Sequence, residues 1–344
     1  MPPEELPRVA VASLGGTITM LPSTAGGVAP TLSADQLLAT TPQLADVARL
    51  EATTLVTLPG ASLQPADVLG AVSWARSAVA SGADGVVLVQ GTDTMEETAY
   101  LADLAWDLDA PLVVSGAMRS PQAPGADGPA NLVAAVRTAG SAAARGLGAL
   151  VVMNDEVHAA ARVRKAASST VQAFGSPSFG PLGRVAEGQV VVPDRPGRWP
   201  ALQAARPGVD PRVALLETHL GDAGDLLDLV VDAGYDGVVV AAFGVGHVST
   251  GMADSIAAAA TRLPVVLASR TGAGTTFRGT YGFLGSESDL LARGAVPGGW
   301  LDPRKARVLL WFLLAAGYDG DGVADVVRTR GAAPGGPAGE APSR

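Results

Sequence analysis

Residues 85–100, GVVLVQGTDTMEETAY, pass from an unbroken apolar run through a polar turn into a helix start, and no other segment constrains the fold as much. Val86-Val87-Leu88-Val89 shows no polar alternation, the pattern of a strand covered on both faces in a parallel sheet. Thr94 followed three residues later by Glu97 reads as a capping box, which predicts a helix from about Met95. Gly91, Thr92 and Asp93 then fall at the carboxyl end of a strand, against a helix amino terminus whose unpaired N–H groups favour negative charge. A hydroxyl beside a carboxylate at such a place suits acyl or phosphoryl chemistry. Plain turn and cap residues have the same composition, and both readings stand at this point.

The same junction recurs along the first half of the chain. Residues 9–13 read as a strand that runs into Leu14-Gly15-Gly16-Thr17, where adjacent glycines permit close backbone approaches. Residues 55–58 read as another strand, followed by the turn Pro59-Gly60-Ala61-Ser62 and a helix opened by Pro65 that should reach about Ala80. Thr17, Ser62 and Thr92 are thus hydroxyl residues at three strand ends. Residues 111–115 and 150–153 are further strands, separated by a long loop and a helix with Pro129 in its first turn. Ser33 with Gln36 forms a second capping box. Residues 21–31, with glycine and proline but no apolar periodicity, are expected to be a mobile loop able to act as a lid.

At 344 residues, against a prior of roughly 150 per domain, two domains are expected. Residues 188–210, dense in proline and arginine, read as a strand followed by a connector. Beyond it, strands at 213–216, 237–242 and 265–268 alternate with helices at 223–233 and 249–260, Asp302-Pro303 opens an apolar helix, and a final helix ends near Arg328. The expected plan is an α/β chain of two domains. A larger amino-terminal catalytic domain spans 1–190, a linker 191–211, a smaller doubly wound, flavodoxin-like domain 212–330, and a disordered tail 331–344.

Composition excludes several functions. The net charge is −9 and no stretch concentrates Lys and Arg, so the long-range field repels a phosphate backbone and no nucleic acid partner is expected. Without cysteine there is no disulfide, thiolate nucleophile or Cys-ligated metal. His158, His219 and His247 lack metal-ligand spacing, and after Gly244-Val245-Gly246 the next glycine comes too late for a dinucleotide fingerprint, so neither metal nor cofactor is expected. The amino terminus carries acids and prolines where a signal peptide is basic and then apolar, and no run nears roughly 18 apolar residues. A cytoplasmic protein without membrane association is the expectation. Of 24 basic residues only Lys165 and Lys305 are lysines. In a chain that writes surface charge as arginine, a lysine points to a place where a proton must be given up.

A more specific signal comes from segments taken in order. LGGTIT at Leu14, GTDTMEETA at Gly91, SGAMRSP and ADGPANL from Ser115 on, VVMNDEVHAAARVRK at Val151, SFGPLG at Ser178, GYDGVVVAAFGVG at Gly234 and LDPRKARVLL at Leu301 together resemble the bacterial-type L-asparaginase family. The resemblance covers nearly the whole chain outside the tail. It implies an asparaginase-like two-domain fold and a homotetramer whose sites lie between the amino-terminal domain of one subunit and the carboxyl-terminal domain of its neighbour. It also implies hydrolysis of a small-molecule amino-acid substrate at its side-chain amide, giving a carboxylate and ammonia. By the same resemblance Thr17 is the first nucleophile, Thr92, Asp93 and Lys165 form the second catalytic group, and Ser62 holds the substrate's α-carboxylate.

These residue types suit that chemistry. Amide hydrolysis needs a nucleophile, a route for its proton, donors for the oxyanion, and groups that fix the amino acid. Asp93 suits the substrate ammonium, the Thr92 backbone N–H an oxyanion, and Lys165 a proton relay. Three departures from the family pattern touch the amino-acid end of the substrate. The lid segment lacks the family's tyrosine, the glutamine that usually follows the binding serine is Leu63, and the asparagine-rich turn after GVG reads His247-Val248-Ser249. Ser249 is the expected substrate contact of that turn. Tyr281, in SRTGAGTTFRGTYGFLGSE at 269–287, is the expected stand-in for the missing phenol beside Thr17, against the simpler reading that it packs with Phe277 and Phe283. The expected function is conversion of L-asparagine to L-aspartate and ammonia by threonine nucleophilic attack, with minor activity on glutamine. The alternative is a catalytically weak protein of this fold that binds an amino acid as a sensor or scaffold. A component of a tRNA-dependent amidotransferase, which shares the fold, is expected to carry an extra amino-terminal domain and a basic RNA face.

Overall fold

The computed structural model describes residues 5–22 and 27–333. The chain divides into two compact units, Met1–Ala201 and Leu202–Arg344, and the division falls inside the segment 191–211 read as a linker. The front of that segment is fastened to the first unit. Arg195 donates to the Ala143 and Arg145 carbonyls, and Arg198 to the Trp106 carbonyl.

The first unit runs β1 (Arg8–Gly15), β2 (Met20–Pro22), β3 (Val28–Pro30), α1 (Ala34–Ala39), β4 (Arg49–Leu58), α2 (Pro65–Ala80), β5 (Gly85–Val89) and α3 (Met95–Ala105). It continues with β6 (Leu112–Ser115), α4 (Gly128–Ala139), β7 (Ala149–Met153), β8 (Glu156–Ala159), β9 (Arg164–Lys165), β10 (Phe174–Gly175), β11 (Gly183–Ala186) and β12 (Gln189–Val191). Among the described residues eight strands form one sheet, in the order β12-β11-β8-β7-β6-β5-β1-β4. The five strands from β7 to β4 pair in parallel, and β8, β11 and β12 extend one edge with antiparallel pairs.

The apolar strand runs serve two faces. Val87 and Val89 join Val9, Val11 and Val113 in a core closed by Leu132 and Val136 of α4. Val86 and Leu88 join Ala12 and Val114 in a second core closed by Met95 and Ala99 of α3. Successive side chains of a strand point to opposite faces, so a strand covered on both sides is apolar at every position. All five residues of β5 are buried, and each fully buried valine or leucine contributes about 1.5–3 kcal/mol.

The second unit runs β13 (Val213–Glu217), α5 (Asp225–Asp232), β14 (Gly237–Ala242), α6 (Thr250–Ala260), β15 (Val265–Ser269), α7 (Glu287–Ala292), β16 (Val296–Pro297), α8 (Pro303–Ala316) and α9 (Gly320–Arg330). Its parallel strands lie in sequential order, β13-β14-β15-β16. A doubly wound sheet reverses its strand order at a switch point, so that part of the expectation is corrected here. The sheet is parallel and packed against Leu227 and Val231 of α5 and Met252 and Ile256 of α6, but its connections progress in one direction. Among the described residues no helix is long and apolar enough to cross a membrane.

Local expectations meet mixed outcomes. Ser33 and Gln36 form the expected capping box, with Gln36 N 3.2 Å from Ser33 Oγ and Ser33 N 2.9 Å from Gln36 Oε1. Thr94 precedes α3 but does not cap it. Its backbone, at φ −111° and ψ 10°, is not the extended conformation of a capping residue, and its hydroxyl donates to the Gly60 carbonyl at 2.8 Å instead. Residues 21–31 are not irregular throughout, because β2 and β3 pair antiparallel with Leu21 opposite Ala29. Of the expected disordered tail 331–344, Gly331 is buried and its carbonyl accepts from Trp300 N at 2.9 Å, while residues 334–344, like residues 23–26 of the expected lid, lie outside the described residues.

At the carboxyl ends of the parallel strands three backbones touch. Gly16 follows β1 at φ +86°, Gly60 opens a 3₁₀ turn after β4, and Gly91 follows β5. A Cβ on Gly16 would lie 2.0 Å from the Gly91 nitrogen, and one on Gly91 would lie 2.8 Å from the Gly60 nitrogen. Both contacts are with main chain, which cannot swing aside as a flexible side chain can.

Gly16→Ala therefore combines a left-handed backbone with an overpacked contact and should destabilise the protein by about 3 kcal/mol or more. Gly180, at φ +76° with nothing within 4 Å of its Cβ position, supplies the control. Gly180→Ala should lose only about 1 kcal/mol. Urea unfolding midpoints of the two variants check this, and equal losses would mean that the strand-end contact carries no cost of its own.

Candidate active site

The glycine contact brings together the backbones of the turns that carry three hydroxyl residues. Thr17 follows Gly16, Thr92 follows Gly91, and Ser62 closes the short turn that Gly60 opens. Thr92 is buried at 4% exposure, Thr17 is half-buried and Ser62 is exposed. The Thr94–Gly60 bond ties the turn after β5 to the turn after β4.

Lys165 reaches this point from β9. Its Nζ donates to Thr92 Oγ1 at 2.9 Å and to Asp93 Oδ1 at 2.7 Å. The Asp93 side chain is 69% exposed and that of Lys165 15%, so the ion pair contributes only about 0–1 kcal/mol to stability. Its consequence is positional: the lysine nitrogen is held against the threonine oxygen. With Thr92 Oγ1 accepting from Nζ, the threonine's own proton is directed to another acceptor. Sequence reasoning brought Thr92, Asp93 and Lys165 together, and the structure does the same. The other lysine, Lys305, is buried in the first turn of α8 in the second unit.

The segment leading to Lys165 is braced by polar groups. Asn154 and Asp155, at φ 50° and 60°, make the tight turn from β7 to β8, and Asn154 N donates to Asn131 Oδ1 at 2.8 Å. Asn131 Nδ2 in turn donates to the Gly116 carbonyl and to Asp127 Oδ2, both at 3.0 Å. Asp127 also accepts from the backbone of Met118 and Arg119, each at 2.9 Å. On β8 the buried His158 has Nδ1 3.0 Å from Ser176 Oγ and Nε2 3.3 Å from Glu156 Oε2. Burial pushes this imidazole below the usual histidine range; Glu156 opposes that shift and Arg184 adds to it.

Two residues near the site were not singled out from sequence. Glu96, 1% exposed in the first turn of α3, accepts from Lys165 N at 3.1 Å. Ser176 follows β10, the strand paired with β9, and makes the bond to His158. An acid in a helix's first turn reads as dipole complementarity, and nothing in its spacing to Lys165 marks a contact across 69 positions.

Ser249 and Tyr281 lie in the second unit. Ser249 caps α6, accepting from Met252 N at 3.1 Å and donating to the Asp222 carbonyl, so its hydroxyl is engaged in local structure. The Tyr281 ring meets His247 edge-on at 4.8 Å and Phe283 at 6.1 Å, and the residue is 44% exposed. Glu287 lies beneath this cluster. Its Oε1 accepts from Thr280 N and Tyr281 N, both at 2.7 Å, and its Oε2 is 3.0 Å from His247 Nε2. Burial alone would raise the pKa of this carboxyl, but the bonds from Tyr281, its own backbone, Thr280 and His247 outweigh burial and hold it below the usual carboxylate range.

Residues 8–198 match the family described as Asparaginase, N-terminal, and residues 212–326 match the Glutaminase/Asparaginase C-terminal domain. The chain is 34% identical over 328 residues to L-asparaginase 2 of Escherichia coli (strain K12), covering 91% of this chain and 90% of that protein. It is 30% identical over 315 residues to a component of the glutamyl-tRNA(Gln) amidotransferase of Methanosphaera stadtmanae, covering 88% of this chain and 71% of that protein. Among solved structures, the "probable cytoplasmic L-asparaginase" of Campylobacter jejuni matches with a TM-score of 0.83 at 31% identity, over 94% of this chain and 99% of that one. With both halves of the chain matched by the family and the strand-end threonines and the lysine of its motifs in place, this protein belongs to the asparaginase family.

Proposed function

We propose that the protein is an L-asparaginase, which hydrolyses the side-chain amide of L-asparagine to L-aspartate and ammonia, with minor activity on L-glutamine. The observation that carries this reading is the Lys165 Nζ bridge between Thr92 Oγ1 and Asp93 Oδ1, on the turn whose Gly91 backbone meets that of Gly16, the residue before Thr17. In this reading Thr17 Oγ1 attacks the amide carbon, its proton passes to the departing nitrogen, and ammonia leaves behind an ester. Water then cleaves the ester, releasing aspartate and restoring the Thr17 hydroxyl. Backbone N–H groups at the strand ends, that of Thr92 first, face the charge that develops on the carbonyl oxygen. Thr92 and Lys165 act as a two-membered proton relay, with Nζ donating to or accepting from Oγ1 as its protonation changes.

The remaining assignments follow from exposure and charge. Asp93, open to solvent, takes the substrate's ammonium, and the exposed Ser62 its α-carboxylate. Ser249 and Tyr281 enter through the adjacent subunit of a homotetramer. A free amino acid is favoured over a tRNA-borne substrate by the net charge of −9 and the lack of any basic cluster in the sequence. The cytoplasmic placement follows the description of the Campylobacter jejuni protein. No cofactor, metal or membrane takes part in the scheme.

Thr92→Val keeps the shape and removes the hydroxyl. Turnover of asparagine, read as ammonia release, should fall about a thousandfold or more while the melting temperature stays within a few degrees. A loss of only a few-fold would return Thr92 to the role of a turn residue. Lys165→Arg keeps the positive charge but removes the ability to give up a proton, so turnover should fall at least about a hundredfold. Near-normal turnover in that variant would exclude the relay. Analytical ultracentrifugation at assay concentration should find a tetramer, and a fully active monomer would remove Ser249 and Tyr281 from the site.

A further inference from the structure

We infer that Glu96 is a positioning residue for Lys165: its buried carboxylate grips the Lys165 peptide N–H and so fixes the base from which Nζ reaches Thr92 and Asp93. The inference rests on the proposed asparaginase chemistry and deepens it.

The strand that carries Lys165 has few ladder bonds of its own, and its hold is the packing of Val163 just before it and Phe174 opposite it in the core that α3 closes. β9 is two residues long and pairs with the equally short β10, in a two-stranded sheet apart from the eight-stranded one. An isolated pair of that length is marginal in water. A lysine there is a flexible four-carbon stem on a weak base, and its ammonium lies beside an aspartate that is mostly exposed. Water competes for the aspartate end of that ion pair.

Glu96 supplies what the strand lacks. It sits in the first turn of α3, two positions after the Thr94 that ends the Thr92-Asp93 turn, and it is 1% exposed. Its Oε2 accepts from Lys165 N at 3.1 Å, while Nζ of the same lysine meets Thr92 Oγ1 at 2.9 Å and Asp93 Oδ1 at 2.7 Å. The turn after β5 and the first turn of α3 that continues it thus hold the lysine at both ends, side chain and main chain, and the stem between them loses its freedom to swing. A carboxylate gives a backbone N–H a stronger bond than a neutral acceptor does, and the helix amino terminus stabilises its charge. Ser176, bonded to the buried His158, fastens β10 on the other side.

A reacting group displaced by about 1 Å can lose on the order of a hundredfold in rate, which sets the scale of the test. Glu96→Leu removes the acceptor and keeps the bulk. It should lower kcat for asparagine about a hundredfold with KM within about threefold, and Glu96→Gln, whose amide oxygen still accepts, should recover most of the loss. In a Lys165→Met background Glu96→Leu should cost less than about threefold more, because the residue acts through the lysine. Should Glu96→Leu not fold, Glu96→Asp, which draws the carboxylate back by one methylene, takes its place in the same cycle. A kcat within threefold of the parent, or an undiminished loss in the Lys165→Met background, overturns the inference.

A second readout separates this inference from the reading it rests on. With only two lysines in the chain, protein labelled with ¹³C at lysine Cε gives two signals, and Lys165→Met assigns them. Glu96→Leu should move the Lys165 signal, with or without catalysis. If the parent protein releases no ammonia while that signal still moves, the asparaginase reading fails and the clamp stands. If ammonia is released and the signal does not move, the clamp fails alone.

Discussion

The mutual contact of Gly16, Gly60 and Gly91 is the constraint on which the rest of the first unit's chemistry depends. Parallel strands leave their carboxyl ends on one edge of a sheet, but their residues are still separated by the spacing between strands, about 4.8 Å. Bringing reactive groups closer requires the connecting backbones to bend toward one another after the ladder ends. Gly16 and Gly91 do this without intervening side chains, to the point where a Cβ on Gly16 would lie 2.3 Å from the Gly91 Cα. The Thr94 hydroxyl then locks the turn after β5 to the Gly60 carbonyl. The threonine that would otherwise cap a helix is diverted to this bond, and α3 begins without a side-chain cap.

The site combines a rigid part with a tethered part. Thr17, Ser62 and Thr92 are set by the sheet, in which β5, the middle one of the five parallel strands, is buried along its whole length. Lys165 lies outside that sheet, on a strand of two residues. Burial differs accordingly: Thr92 is closed off from water, whereas Asp93 next to it is open. In a poorly solvated place a hydrogen bond to the threonine oxygen is electrostatically stronger than it would be in water, while the exposed carboxylate remains accessible to a charged ligand. Adjacent residues of the turn before Met95 thus have unlike surroundings.

How much of this was legible in the sequence depends on the range of the interaction. The five parallel strands of the first unit read clearly, since runs such as Val86 to Val89 have no other stable home than a sheet covered on both faces, whereas the short antiparallel strands β8 to β11 did not. The Ser33–Gln36 capping box read correctly because both partners lie within one turn, yet the identical signature at Thr94 and Glu97 misled because a distant carbonyl, that of Gly60, competed for the hydroxyl. Lys165 stood out through the scarcity of lysine. Segment order exposed the family motifs, but strand order in the second unit is not written in hydrophobic pattern, and the sheet there proved sequential. Pairing of β2 with β3 was hidden for a related reason: three-residue strands offer no period to detect.

A recurring device explains why Glu96 and its like escaped notice. Asp127 caps the start of α4 in position if not by a bond to that helix, and it accepts instead from Met118 N and Arg119 N of the preceding loop. Glu287 in the first turn of α7 accepts from Thr280 N and Tyr281 N. Glu96 in the first turn of α3 accepts from Lys165 N. All three carboxylates are buried, and each stands where a helix dipole favours its charge. A buried carboxylate with two oxygens needs several donors, and loop amides that no strand or helix satisfies need acceptors. Each helix start therefore solves two problems at once, its own electrostatics and the anchoring of another segment, which at α3 and α7 carries a candidate functional residue, Lys165 and Tyr281. In the sequence every one of these acids looks like an ordinary first-turn residue; the donor that gives it meaning lies elsewhere in the chain, and only the folded backbone brings the two together.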